Sequence, residues 1–231
     1  MENTNKIGPI NIQNNDLGYS IIGKEYVGIN TSELKRSIAN SNHVKSYLNT
    51  PFHSILNLFL VIPEIKELIL PKAFGIVNKI SADYRCINST FYNKPPNSKW
   101  KLGFHQDVRI NLKYKLEDLE FSSWIERDGF YQVRPPIEVL ENIIAIRIHL
   151  DDCKIENGAL KVVPRSHKQG FIDIINYKLN EVEVLELNEG EVLSLSPLLL
   201  HASGNNITAQ KRRVIHLEFS NIDLPWYEEH F

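Results

Sequence analysis

Residues 143–163, IIAIRIHLDDCKIENGALKVV, decide how the fold is read. Ile143 to Leu150 is a β-branched run, the composition of a strand. Glu156-Asn157-Gly158 then supplies a turn, and Ala159 to Val163 a second, shorter strand. Within the first strand, alternation puts Ile146, Ile148 and Leu150 on one face and Arg147 and His149 on the other. The same punctuation repeats outward from here. Val182 to Leu187, Glu191 to Ser196 and Arg213 to Phe219 read as strands, with Asn188-Glu189-Gly190 as a hairpin turn between the first two. Upstream, Arg85 to Tyr92 reads as a strand ending at Asn93-Lys94-Pro95-Pro96-Asn97, and Leu102 to Leu112 reads as another. Many short strands separated by Gly, Asn and Pro predict a sandwich or barrel.

Before about Lys79 the periodicity is helical. Asn30-Thr31-Ser32 offers caps for a helix over Glu33 to Asn40. Ser41 to Asn49, Pro51 to Val61 and Ile65 to Leu70 carry apolar residues at spacings of three and four. These helices are expected to pack on the outside of one sheet. The stretch from Lys113 to Asn142 interrupts the strands without firm periodicity, which marks it as a candidate lid or binding loop.

A chain of 231 residues can bury a substantial core. With no internal repeat or low-complexity linker, a single domain over 1–231 is expected, helical over about 1–79 and strand-rich over about 80–220. A formal charge of −2 argues against nucleic acid as a partner. The polar start, Met1 to Lys6, lacks the apolar core of a secretion signal. The most apolar stretch, Phe52 to Leu70, is broken by His53, Asn57, Pro63 and Glu64, so no membrane span is expected. Cys86 and Cys153, far apart and outside any CxxC, predict two buried thiols in a cytoplasmic protein.

The chemistry begins at Phe104-His105-Gln106-Asp107. On a strand, His105 and Asp107 share a face about 7 Å apart, and both can reach one small cation. They would form two corners of a 2-His-1-carboxylate triad, which suits Fe(II) with open positions. His201 follows the apolar run Leu198-Leu199-Leu200 and leads into Gly204-Asn205-Asn206, so it sits where a strand leaves a core. Arg212 lies eleven residues further on, across a loop that would return the chain as an antiparallel partner. A guanidinium there could pair with a carboxylate held near the metal.

Five stretches in order now resemble the phytanoyl-CoA dioxygenase-like family of Fe(II)/2-oxoglutarate oxygenases. They are Asn93 to Pro96, His105 to Asp107, Leu150 to Asp152 with Glu156 to Leu160, Val163 to His167, and His201 to Arg212. The resemblance implies a double-stranded β-helix, a cupin-like jelly-roll core with the N-terminal helices on one sheet. It implies His105, Asp107 and His201 as metal ligands, Arg212 as partner of the distal carboxylate of 2-oxoglutarate, Ser203 as its assistant, and Lys94 as a further cosubstrate contact. Fe(II), 2-oxoglutarate and O2 are the implied cofactors, with release of succinate and CO2. Related halogenases replace the carboxylate ligand with Gly or Ala, so Asp107 implies hydroxylation as the default, with desaturation and ring formation as the open alternatives.

Arg165 departs from the family, which usually carries Gly or a similarly small residue there. Arg147 departs too, because relatives often place an apolar or aromatic residue at its position. If its face is inward, Arg147 is a buried cation that needs an anion, a carboxylate of either the substrate or 2-oxoglutarate. Arg147 and Gln106 are therefore the expected substrate contacts, and the expected substrate is a small, anionic metabolite. Two rivals stand beside this reading: a cupin-like Zn or Ni isomerase or hydrolase, and a jelly-roll binding protein without catalysis.

Overall fold

The computed structural model describes residues 16–47, 52–80 and 82–230. Met1 to Lys6 and the junction between the expected helices at Leu48 to Pro51 lie outside the described residues. Two antiparallel sheets face one another. The larger has the order β1 (Tyr19–Ile22), β11 (Val192–Leu195), β8 (Ile143–His149), β13 (Arg212–Ser220), β3 (Arg85–Lys94) and β2 (Ser54–Leu56). The smaller has the order β10 (Glu183–Leu185), β9 (Leu160–Val162), β12 (His201–Ser203) and β4 (Leu102–His105). This is the expected jelly roll. A third sheet, β5 (Ile110–Leu112), β7 (Phe130–Arg134) and β6 (Ser122–Arg127), packs beside it.

The central strands of the larger sheet are buried on both faces. Their apolar alternates, Ile146, Ile148, Ile215, Leu217, Phe219 and Phe91, lie in one cluster with the helices. Those helices are α1 (Thr31–Asn40), α2 (Asn42–Ser46), α3 (Leu58–Val61) and α4 (Pro63–Val77), and they contribute Leu34, Ile38, Phe59, Ile65, Ile69 and Ile76. Caps appear where the sequence offers them: Asn30 Oδ1 accepts from Glu33 N–H at 3.1 Å, and Ser41 Oγ from Val44 N–H at 3.2 Å. Between the two sheets lies a second apolar cluster, with Tyr19, Ile21, Leu160, Val162, Leu193 and Leu195 among its members.

Several expectations need correction. The helical half also contains strands β1 and β2, because sheet pairing with β11 and β3 overrides local helical periodicity. The stretch Pro51 to Val61 is helical only over α3. Leu102 to Leu112 is two strands, β4 and β5, in different sheets. Asn188-Glu189-Gly190 turns the chain but closes no hairpin: β10 pairs with β9, while β11 pairs with β1 and β8. Gly190, at φ 86°, lets the chain cross from one sheet to the other. The segment 113–142 is ordered as β6, β7 and α5 (Ile137–Glu141), with Phe121, Val133, Val139 and Leu140 packed in a third cluster around Trp226. Arg165 keeps the left-handed turn that Gly would make, at φ 67°, with its Nε 2.7 Å from Asp16 Oδ2. Both cysteines are free and buried. No helix among the described residues is long and apolar enough to cross a membrane.

Phe219 joins the helices to the larger sheet: it is fully buried and meets Phe74 edge-on at 5.5 Å. Phe219→Ala is expected to lower stability by about 3–5 kcal/mol in urea denaturation. A loss below 1 kcal/mol would show that the helical layer contributes little to the fold.

Candidate metal centre

β4 and β12 are neighbours in the smaller sheet, and their pairing sets His105 directly opposite His201. The two rings stand 4.4 Å apart. After His105 the chain leaves the sheet, so Asp107 belongs to a loop and not to the strand expected for it. That loop is fastened at two points. Asp107 N–H donates to the Pro197 carbonyl at 2.9 Å. Gln106 Nε2 donates to the carbonyls of Leu198 at 2.6 Å and Gly170 at 2.8 Å, and its Oε1 accepts from Ile172 N–H at 2.9 Å. Gln106, expected to touch substrate, has both amide hydrogens committed to backbone, ties the loop, and lines a cavity beside Asp107.

One ligand atom from each of His105, Asp107 and His201 lies within 4.8 Å of the others. Asp107 Oδ1 is 3.6 Å from His105 Nε2, and Asp107 Oδ2 is 3.6 Å from His201 Nε2. Two donors each about 2.1 Å from a shared cation can be at most about 4.2 Å apart, so each histidine is close enough to a carboxylate oxygen to share an ion with it. The tautomers suit it as well. His105 Nδ1 lies 2.7 Å from the Gly103 carbonyl, and His201 Nδ1 lies 2.9 Å from that of Leu199. A carbonyl only accepts, so Nδ1 carries the proton and Nε2 offers its lone pair to the centre. Burial holds the His201 pKa below its usual value, against the pull of Asp107. Burial opposes ionisation of Asp107, but the basic groups facing it outweigh that and its pKa falls. A neutral imidazole beside a carboxylate is the donor set that a divalent metal needs.

Beside the trio stands a cationic wall. The alternates of β13, β3 and β8 that turn away from the helices turn into the space between the sheets. In register they bring Arg212 opposite Lys94 and His216 opposite Arg147. Arg147 and Arg212 line one cavity with His105, Asp107, His201 and Ser203. Among the described residues neither arginine has a carboxylate within 4.0 Å, and the Nε of each is buried without a hydrogen-bond partner. Arg212 Nη1 reaches only Cys153 Sγ, at 4.0 Å. Burial lowers the Arg147 pKa. Buried guanidinium groups of this kind are costly unless an anion meets them.

Lys94 is fully buried. Its ammonium donates to Ser203 Oγ at 3.1 Å and to the Gly204 carbonyl, and stands 5.1 Å from the Trp100 ring. Burial, with Arg212 nearby, draws its pKa down to about 7. Arg212 reaches the site differently from the hairpin expected: β12 and β13 lie in opposite sheets and face one another across the cavity. Tyr92, Trp100 and Glu218 were missed by sequence reasoning. Their signal was available, since Tyr92 shares a face of β3 with Lys94, and Glu218 a face of β13 with Arg212 and His216.

Comparison with known proteins agrees with this geometry. The family described as Phytanoyl-CoA dioxygenase (PhyH) matches residues 25–214. The human protein "Phytanoyl-CoA dioxygenase, peroxisomal" is 26% identical over 148 residues, a match covering 62% of this chain and 41% of the human protein. The chain therefore spans less than half of that relative. Among solved structures, EvdO2 from Micromonospora carbonacea var. aurantiaca has a TM-score of 0.64 at 15% identity, covering 96% of this chain and 99% of its own. The same protein complexed with 2-oxoglutarate also has a TM-score of 0.64, at 14% identity with 98% and 97% covered. SnoK, a non-haem alpha-ketoglutarate-dependent carbocyclase from nogalamycin biosynthesis, has a TM-score of 0.62 at 14% identity, with 93% and 87% covered.

Anaerobic titration should give one tight Fe(II) site, and His201→Ala should weaken it by more than about 100-fold. Unchanged stoichiometry and affinity in that variant would place the metal elsewhere. Gly158 tests the cationic wall from behind. It has φ 88°, and an added Cβ would come within 2.5 Å of the Gly204 carbonyl and 2.9 Å of Lys94 Nζ. Gly158→Ala should destabilise the fold by about 1–2 kcal/mol and weaken 2-oxoglutarate binding together; wild-type melting and binding would mean the loop yields freely.

Proposed function

This chain belongs to the phytanoyl-CoA dioxygenase family, and from that premise we propose that it is an Fe(II)/2-oxoglutarate-dependent oxygenase. It hydroxylates an unactivated C–H bond of a small metabolite: substrate, 2-oxoglutarate and O2 give hydroxylated product, succinate and CO2. The observation that carries this reading is the pairing of a complete His105, Asp107 and His201 trio with two buried guanidinium groups that have no carboxylate partner among the described residues. A trio alone would equally serve the cupin-like isomerase or hydrolase. The arginines add a place for a dianion beside the metal, which neither that rival nor a non-catalytic jelly roll requires.

His105, Asp107 and His201 would hold Fe(II), and the metal with its cosubstrate supplies the oxidation of the C–H bond. This chain's residues do the rest. The carbonyls of Gly103 and Leu199 hold the imidazoles with Nε2 inward. Arg212 pairs with the distal carboxylate of 2-oxoglutarate through a planar fork of donors. Lys94, braced by Ser203, stiffens the wall behind Arg212 and adds positive charge. Arg147 shares the cavity with Arg212, so its charge serves the cosubstrate side.

The first test is succinate release from enzyme loaded anaerobically with Fe(II), then given 2-oxoglutarate and O2, beside a His105→Ala control. Iron-dependent release that is lost in the control is expected. Arg212→Met should raise the Kd for 2-oxoglutarate about 10- to 100-fold, and Arg147→Met should raise it less. If 2-oxoglutarate fails to bind the metal-loaded wild type, the oxygenase reading falls and the cupin-like one takes its place.

A further inference from the structure

Next to the cosubstrate cavity lies a second and roomier one, of about 320 Å³. The two share Tyr92 and Asp107, so the second opens onto the metal centre from the other side of the Asp107 ligand. Its size is that of a small-ligand site. Its walls are unusual for one, because only Leu56 and Val108 are apolar. The rest includes Asn88, Thr90, His216 and Glu218 from the larger sheet, and Asn111 and Gln132 from the third sheet. The loop between β4 and β5 adds Gln106, Asp107 and Arg109, the last exposed and with its Nη1 donating to the Ser123 carbonyl at 2.8 Å.

The hydrogen bonds of this wall can be assigned atom by atom. Arg147 Nη1 lies 3.2 Å from His216 Nδ1, and a guanidinium only donates, so His216 Nδ1 accepts. His216 Nε2 therefore carries the proton and donates to Glu218 Oε1 at 3.2 Å. Asn88 Nδ2 donates to Glu218 Oε2 at 2.9 Å. Glu218 is thus tied through His216 to Arg147, and the other charged residues of the wall are Asp107, which faces the metal centre, and the exposed Arg109. Asn111 and Gln132 face one another across β5 and β7, where Gln132 Nε2 donates to Asn111 Oδ1 at 3.3 Å. Asn111 Nδ2, Gln132 Oε1 and Thr90 Oγ1 have no hydrogen-bond partner among the described residues.

We propose that this cavity holds the substrate, and that the substrate is a neutral, hydroxyl-rich small molecule of the sugar or cyclitol type. The inference rests on the oxygenase reading above and adds the substrate class to it. Each hydroxyl both donates and accepts, so adjacent hydroxyls can meet an amide N–H, an amide oxygen, a threonine hydroxyl and a carboxylate in turn. An acyl chain would leave these groups desolvated and unpaired. A carboxylate or phosphate would face Glu218 and Asp107, and the cation of the same lining, Arg109, is exposed with its Nη1 already on the Ser123 carbonyl. An alkylammonium has only donors, so Asn111 Nδ2 would stay unmet.

The test is calorimetric binding to protein loaded with Ni(II) and 2-oxoglutarate, using myo-inositol and a series of methyl pyranosides beside hexanoate and hexylammonium. The 2-oxoglutarate titration comes first: its failure defeats the oxygenase reading, whatever the later steps give. With 2-oxoglutarate bound, at least one polyol is expected to bind and hexanoate and hexylammonium to stay silent. Gln132→Leu, a partly exposed position, and Thr90→Val should each weaken that polyol at least 10-fold. Binding of hexanoate or hexylammonium, no binding by any polyol, or polyol binding indifferent to Gln132→Leu would overturn the substrate class while leaving the oxygenase reading intact.

Discussion

The larger sheet is organised around one constraint: its central strands are buried on both faces, and only one face is apolar. Ile146, Ile148, Ile215, Leu217 and Phe219 satisfy the helical layer. Alternation then forces Arg147, His216, Glu218, Arg212 and Lys94 into the space between the sheets, where water is scarce. A polar face in that position is tolerated only if its groups find partners. Some do so internally, as in the run from Arg147 through His216 to Glu218 and Asn88. Arg212 does not, and a bound anion is what its position calls for.

The metal trio depends on the opposite sheet for its geometry. Direct pairing of His105 with His201 sets the spacing of the two imidazoles, and backbone carbonyls two residues before each fix the tautomer. Asp107 completes the set from a loop whose shape is imposed by Gln106 and by the Pro197 carbonyl. Ligands from one sheet and cations from the other thus converge on one space. The third sheet then adds Asn111 and Gln132 to the neighbouring cavity, so it shapes what lies next to the metal without touching it.

The strand-rich core, the helical layer and the candidate ligands are legible from the residues alone, because these depend on local periodicity and on residue type. The HxD spacing, the position of His201 at the end of an apolar run and the five ordered stretches were enough to name the trio and Arg212. Tertiary structure decided what alternation leaves open. Period two tells which residues share a face, but with both faces of β8 buried it cannot say which face meets helices and which meets the site. It also cannot tell a hairpin from a crossing between sheets, so the turn at Asn188 to Gly190 and the path from His201 to Arg212 were both read as local pairings. The polar cavity is built from β2, β3, β5, β7 and β13 and the loop between β4 and β5, which are distant in sequence. Only packing brings those strands together, and so only packing could reveal the chemistry of the substrate side.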